Sequence, residues 1–200
     1  MVIGTHNLGK QAELRALLDG LGLELVTLPE LGLELEVPEP GPDYATHARA
    51  KALAYARASS LWAVSDDSGL EVDALGGAPG VHSARFAGPD ATYSDNCARV
   101  LERLAGTVPE DRTARFATVA IACWPDGREV VAIGTVEGVV TDSPRGEGGF
   151  GYDPVFVPVE GDGRTFAEMS PADKHAISHR GRAFRTLAEG LCLLAEVGDC

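Results

Sequence analysis

The sharpest constraint on the fold is an apolar run, Leu61-Trp62-Ala63-Val64, that stops at two adjacent carboxylates, Asp66 and Asp67. A short apolar run bounded by turn residues reads as a buried strand. Open α/β sheets place ligand chemistry at the carboxyl ends of such strands. The spacing therefore predicts a strand over 61–64 that delivers the acid pair at its end. Paired acids there can hold a hard cation such as Mg²⁺ through oxygen, and one of them can take a proton from an attacking water. The competing reading is an Asp-rich turn in which Gly69 supplies a positive φ, and Asp66-Asp67-Ser68-Gly69 taken alone favours it. Context elsewhere in the chain shifts the balance.

Short β-rich runs alternate with segments of helical period. Met1 to Gly4 reads as a strand, and Leu14, Leu17, Leu18 and Leu21 recur at helical spacing over 10–21. Leu23 to Leu28 reads as a second strand. Asp43 can cap a helix running to about Ser60, with Ala45, Ala48, Ala52, Tyr55 and Ala56 as its buried stripe and Lys51 off it. Tyr93, Cys97, Val100, Leu101 and Leu104 mark another helix, capped by Thr92 or Ser94. Ala114 to Trp124 and Glu129 to Thr141 are β-rich and separated by Pro125-Asp126-Gly127, a hairpin signal. Ser170-Pro171 starts a short helical turn, and Phe184, Leu187, Ala188, Leu191 and Leu194 mark a C-terminal helix. The class is α/β: a mixed sheet flanked by helices and bent into two lobes, as one domain over residues 1–200 with no separate linker.

Several loops carry chemistry. Gly4-Thr5-His6-Asn7-Leu8-Gly9-Lys10-Gln11 joins the first strand to the first helix and falls one residue short of a Walker A phosphate loop: Gln11 stands where a Ser or Thr hydroxyl would bind Mg²⁺. A helix N-terminus plus Lys10 still makes an anion site. Pro38, Pro40 and Pro42 stiffen an acidic loop and hold Glu39 in place. Gly146-Glu147-Gly148-Gly149-Phe150-Gly151-Tyr152-Asp153-Pro154 contains G-x-G-x-x-G, but no helix can follow directly through Tyr-Asp-Pro, so a dinucleotide fingerprint fails on context. Its glycines instead free the backbone to present Phe150, Tyr152 and Asp153, two rings to stack a base and one acceptor for its N–H edge. The alternative is a glycine loop whose aromatics pack into the core. Lys174, His179 and Arg180 cluster near a helix start, suited to phosphates or carbonyls.

Charge excludes other classes. The formal net charge is −13, which argues against a nucleic-acid partner because backbone binding needs a basic footprint. A small nucleotide needs only a local cationic cluster, which an acidic protein can supply. Four cysteines show no Cys-x-x-Cys pair, against a zinc site or redox motif. No apolar run approaches the roughly 18 residues of a membrane span. Met1-Val2-Ile3 enters a strand without a signal-peptide pattern, so the expected compartment is the cytoplasm.

Taken in order, Thr5-His6-Asn7-Leu8-Gly9-Lys10, Ser65-Asp66-Asp67-Ser68-Gly69, Leu75-Gly76-Gly77-Ala78-Pro79-Gly80, Gly149-Phe150-Gly151-Tyr152-Asp153-Pro154 and Ser178-His179-Arg180-Gly181 resemble the inosine triphosphate pyrophosphatase family, also called the Ham1 family. The resemblance spans nearly the whole chain. It implies an elongated two-lobed α/β fold around a long mixed sheet, a cleft between the lobes, a homodimer, and Mg²⁺-dependent hydrolysis of inosine, deoxyinosine and xanthosine triphosphates to monophosphate and pyrophosphate. It implies that Thr5, His6, Asn7, Leu8, Gly9 and Lys10 bind the triphosphate and that Lys51 faces the phosphates. Asp67 is then proton acceptor and metal ligand, Glu39 a second metal ligand, and Ser68 a substrate contact. Phe150, Gly151, Tyr152, Asp153, Lys174, His179 and Arg180 hold and read the purine. One departure is visible: the family commonly has Glu-Asn where this chain has Thr46-His47. Two rival readings are a Walker-type nucleoside triphosphatase, cutting at the γ-phosphate, and a nucleotide sensor that binds without turnover.

Overall fold

A computed structural model describes all residues except 20, 21, 40, 199 and 200, and the side chains of 194–198 are likewise left aside. The expectations placed on Leu21, Pro40, Cys200 and the side chain of Leu194 lie outside the described residues. Eleven elements carry the argument: β1 (Val2–Ile3), α1 (Leu8–Leu18), β2 (Val26–Thr27), α2 (Tyr44–Ser59), β3 (Ala63–Val72), α3 (Tyr93–Arg103), β4 (Thr113–Cys123), β5 (Glu129–Val140), β6 (Phe156–Pro158), α4 (Pro171–Ile177) and α5 (His179–Gly198). The strands form one six-stranded sheet in the order β2-β1-β3-β4-β5-β6. β1 pairs in parallel with β2 and β3, whereas β5 and β6 are antiparallel. The sheet is therefore mixed, with flanking helices, as expected. β4 turns into β5 through a tight loop closed by Trp124 N–H donating to the Arg128 carbonyl, with Gly127 at φ +94°.

The chain divides into two compact units. The first comprises Met1–Asp67, Thr118–Gly134 and Arg182–Cys200, and the second Ser68–Ala117 and Thr135–Gly181. In unit 1 the sheet is covered on both faces. Leu14 and Leu18 of α1 pack with Ala183, Phe184 and Leu187 of α5 on Ile3, Val64, Ala120 and Ala122. Ala48 and Ala52 of α2 pack on Val119, Ile121 and Cys123, the alternate residues of the same strand. A strand buried on both faces reads as a continuous apolar run, which is what Thr118 to Cys123 shows. In unit 2 a single cluster joins Val100 and Leu104 of α3 to Leu70, Phe116, Val136, Phe156 and Phe166. There β5 alternates, with Thr135 and Glu137 exposed and Val136 and Val140 buried.

One expectation is overturned. β3 does not end at Val64; it runs on to Val72, so Asp66 and Asp67 sit within the strand and not at its end. Asp-rich sequences leave strands because their side chains compete for backbone partners. Here those side chains are engaged elsewhere: Asp66 with Lys10, Asp67 with Lys51, and the neighbouring Ser65 hydroxyl with the Gly4 carbonyl. Other differences are local. α1 begins at Leu8 rather than Lys10, with Asn7 as its cap. β2 shrinks to Val26–Thr27, and β6 was not expected. Cys97 and Cys123 are buried free thiols and Cys192 is exposed. Among the described residues no helix is long and apolar enough to cross a membrane.

Candidate active site

The acid pair organises unit 1. Successive strand residues point to opposite faces, so the two carboxylates find different cations. Asp66 Oδ2 lies 3.0 Å from Lys10 Nζ, and the Thr118 hydroxyl donates to the Asp67 carbonyl at 3.0 Å. Asp67 Oδ1 lies 3.2 Å from Lys51 Nζ, and Oδ2 lies 2.9 Å from His47 Nδ1. The Lys51 ammonium also reaches Glu39 Oε1 at 3.2 Å. Its side chain is only 13% exposed, so Lys51 is not the solvated residue its place off the apolar stripe suggested. Burial works against its charge, but Asp67, Asp66 and Glu39 outweigh that and hold the ammonium above its ordinary pKa range.

Lys10 belongs to the loop that leads from β1 into α1. Asn7 accepts a hydrogen bond from the Lys10 N–H at 3.1 Å, and its own N–H donates to the Thr5 hydroxyl at 3.2 Å. A Cβ on Gly4 would come within 2.5 Å of the Tyr55 ring, so only glycine lets this backbone lie against α2. Gln11 settles the Walker comparison. Its side-chain amide donates to the Thr5 carbonyl at 2.7 Å, so it braces the loop and offers no hydroxyl to a metal. His6 is spent on the Leu35 carbonyl at 3.0 Å, and Leu8 is 77% exposed. The loop carrying Glu39 is tied down by more than its prolines: Leu33, Leu35 and Val37 pack in alternation on the cluster of Val2, Leu28 and Tyr55.

The remaining predicted residues gather in unit 2. Lys174 Nζ lies 2.6 Å from Asp153 Oδ2 in a pair whose side chains are 6% and 3% exposed. The same carboxylate oxygen accepts from the Phe150 N–H at 2.8 Å. A Cβ on Gly149 would collide with that oxygen, and φ there is +70°, so the turn needs glycine on both counts. Phe150 is half-buried. Lys174 Nζ lies 5.1 Å from its ring centroid and Arg180 Cζ 5.4 Å, and Tyr93 tilts against it at 5.9 Å. Arg180 Nη2 donates to the Ser68 hydroxyl at 2.7 Å. Tyr152 belongs to the hydrophobic cluster, with its hydroxyl donating to the Ser83 carbonyl at 2.8 Å, and burial pushes its phenol pKa up. His179 stacks on Phe116 at 4.6 Å with the planes 8° apart.

Unit 1 thus brings together Thr5 to Lys10, Glu39, Lys51 and Asp67, and unit 2 brings together Ser68, Phe150 to Asp153, Lys174, His179 and Arg180. The sequence reading noted His47 only as part of a departure from the family pattern, with no role for it, and did not single out Thr118. His47 could have been found: it lies four residues before Lys51, and residues at that spacing share a helix face. Nothing in the local pattern flags Thr118, whose partners are distant in sequence.

Glu39, His47 and Asp67 each offer a ligand atom, and these atoms lie within 4.8 Å of one another. Carboxylate and imidazole donors suit a divalent cation, so the residues present fit a metal ion. Residues 1–190 match the model of the Ham1 family. A protein from Rhodopseudomonas palustris named dITP/XTP pyrophosphatase is 46% identical, the match covering 96% of this chain and 95% of the relative. A protein of the same name from Thermus thermophilus is 47% identical, over 94% of this chain and 90% of the relative. The solved structure of a HAM1 protein from Coxiella burnetii superposes with a TM-score of 0.85 at 37% identity, over 96% of this chain and 97% of that one.

Proposed function

This chain belongs to the Ham1 family, and we propose that it is a Mg²⁺-dependent pyrophosphatase that hydrolyses inosine, deoxyinosine and xanthosine triphosphates to the monophosphate and pyrophosphate. The observation that carries the reading is the grouping around Asp67. A buried strand carboxylate meets Lys51 through one oxygen and His47 through the other, with the Glu39 carboxylate on the same lysine. Such a cluster of charge is costly to bury unless it serves a ligand of matching charge.

Glu39 and Asp67 would hold the divalent ion, which when bound offsets phosphate charge and polarises phosphorus. The backbone N–H groups that open α1, with Lys10, take up phosphate oxygens at a helix N-terminus. Lys51 exchanges its carboxylate partners for the charge that builds during transfer. Asp67 orients a water and accepts its proton as the oxygen attacks the α-phosphorus; the bond from that phosphorus to the bridging oxygen breaks and pyrophosphate leaves. At the base end Phe150 supplies a stacking face, and Arg180, fixed by Ser68 and the Phe150 ring, donates to the 6-oxo group. Adenine presents a 6-amino donor there, leaving the arginine N–H unpaired, and a site built to donate rejects such an analogue strongly.

The names of the relatives support the nucleotide and the bond cleaved. The net charge of −13 supports a free nucleotide rather than a nucleic acid as substrate. The reading includes action in the cytoplasm and a homodimer, and sedimentation of the purified protein checks the dimer. The activity is tested by incubating a panel of triphosphates with Mg²⁺ and identifying the products. Pyrophosphate from the inosine and xanthosine nucleotides, at rates about 10²-fold or more above those for ATP, is expected. Release of orthophosphate, or recovery of unchanged nucleotide after prolonged incubation, would overturn it.

A further inference from the structure

His47 is 1% exposed, and each of its ring nitrogens faces an oxygen. Nε2 lies 3.0 Å from the carbonyl of Gly41, and Nδ1 lies 2.9 Å from Asp67 Oδ2. A carbonyl oxygen only accepts, so Nε2 carries the hydrogen, and in a neutral imidazole Nδ1 then presents a lone pair. That lone pair points at a carboxylate oxygen, which is also an acceptor. Two acceptors at hydrogen-bond distance in a buried position require a positive centre between them, either a proton or a metal ion.

Two features favour the metal, and the spacing admits it. The Glu39 carboxylate joins the same cluster, all three ligand atoms lying within 4.8 Å. The span of 2.9 Å between Nδ1 and Oδ2, which a proton would also fill, is close to the edge of about 3.0 Å between neighbouring ligands at right angles on bonds of about 2.1 Å. An imidazole that binds a metal through one nitrogen characteristically donates the other N–H to a backbone carbonyl, which fixes ring and tautomer; the Gly41 contact has that form. Lys51 uses Asp67 Oδ1, so it leaves the Oδ2 side of the carboxylate to the histidine.

We propose that His47 Nδ1 is a third protein ligand, with Glu39 and Asp67, so that the site of this chain is a nitrogen-bearing one that binds Co²⁺ and Mn²⁺ in preference to Mg²⁺. The inference rests on the metal-dependent reading above. Oxygen donors suit Mg²⁺, while an imidazole raises affinity along the series from Mn²⁺ to Co²⁺. In Glu39 and Asp67 alone the chain would offer only oxygen; His47 changes that preference.

Pulsed electron paramagnetic resonance on the full chain tests this without turnover. Mn²⁺ serves as the probe, with pyrophosphate as a nitrogen-free phosphate, in protein of natural abundance and in protein labelled with ¹⁵N-histidine. Histidine nitrogen coupled to Mn²⁺, shifting to the ¹⁵N pattern on labelling and disappearing in His47→Asn, is the expected result. Asparagine keeps a donor toward Asp67, and the measurement on the unaltered protein stands whether or not the variant folds. His47→Asn should also weaken Co²⁺ binding by about tenfold or more while Mg²⁺ binding changes by less than about threefold, both read by calorimetry. Bound Mn²⁺ with no histidine coupling, or coupling that survives in His47→Asn and so belongs to another histidine, would overturn the assignment of His47 while leaving the metal-dependent reading intact. Absence of any bound Mn²⁺ in the presence of pyrophosphate would overturn both.

Discussion

Unit 1 and unit 2 handle buried charge in different ways. In unit 1 Lys51 shares its carboxylates. Lys51 lies between Glu39 and Asp67, and Asp67 keeps a second contact to His47, so removing one partner leaves the others in place. In unit 2 the pair of Lys174 and Asp153 is buried more deeply, and the lysine is wedged over Phe150 and Phe166 at 5.1 and 5.7 Å. The first arrangement suits charges that must trade partners when a polyanion arrives. The second is a brace: Asp153 holds the Phe150 N–H, and the aromatic and cationic groups around it fix where the ring can be. The proposed chemistry and recognition thus draw on the same residue types with opposite demands on mobility.

Substitutions on either side should separate the two. The largest effect belongs to Asp67→Asn, which removes the proposed proton acceptor and should lower hydrolysis of inosine triphosphate by about 10²–10⁴-fold while leaving nucleotide affinity within a few-fold. Steady-state rates beside equilibrium binding check it, and near-normal turnover would refute the role. Lys174→Met takes the ammonium away from a deeply buried carboxylate and should cost about 3–5 kcal/mol in denaturant unfolding, as breaking one half of a buried pair does. Lys51→Met, whose carboxylate partners keep other contacts, should lose activity with a much smaller stability change. If the two lysine variants were equally destabilised, the contrast between the units would fail.

Smaller effects sharpen the same contrast. Phe150→Ala removes a stacking face worth about 1–3 kcal/mol per base, so the Michaelis constant should rise about tenfold with turnover changed less. Unchanged kinetics would take the ring out of recognition. The mildest test is alkaline. Burial, with Asp153 nearby, pushes the Cys97 thiol up to about 12 from an ordinary 9.0. The native state therefore keeps a proton that the unfolded chain releases, so this stabilisation is complete below pH 9 and is lost as pH rises toward 12. Cys97→Ala should flatten the fall in unfolding free energy across that window, and an unaltered slope would show that the thiol is not held as described.

The sequence was most informative where period and capping act locally. Asp43 caps α2, and Thr92 with Asp95 forms a capping box on α3. The Pro125-Asp126-Gly127 hairpin and the two β-rich runs were equally legible, because turn residues and alternation are short-range signals. β3 was cut short because Asp, Ser and Gly are poor strand formers, and only partners far along the chain, such as Lys10 and Lys51, reconcile them with a ladder. Phe150 and Arg180 came into view from composition around the glycine loop and the start of α5, and they do lie together. Tyr152 was read as a second stacking ring, and its hydroxyl and ring are taken up by the core of unit 2, a contact that no local pattern announces. The stripe of α2 through Ala45, Ala48, Ala52, Tyr55 and Ala56 does pack on the core, and His47 is buried beside it, since a polar residue at such a place is justified only by what it meets there.

The claim on which the account turns is that water enters at the α-phosphorus. Hydrolysis of inosine triphosphate in ¹⁸O-labelled water, with mass analysis of both products, tests it directly. The account predicts one labelled oxygen in the monophosphate and none in pyrophosphate. Label in pyrophosphate, or its appearance in released orthophosphate, would contradict it.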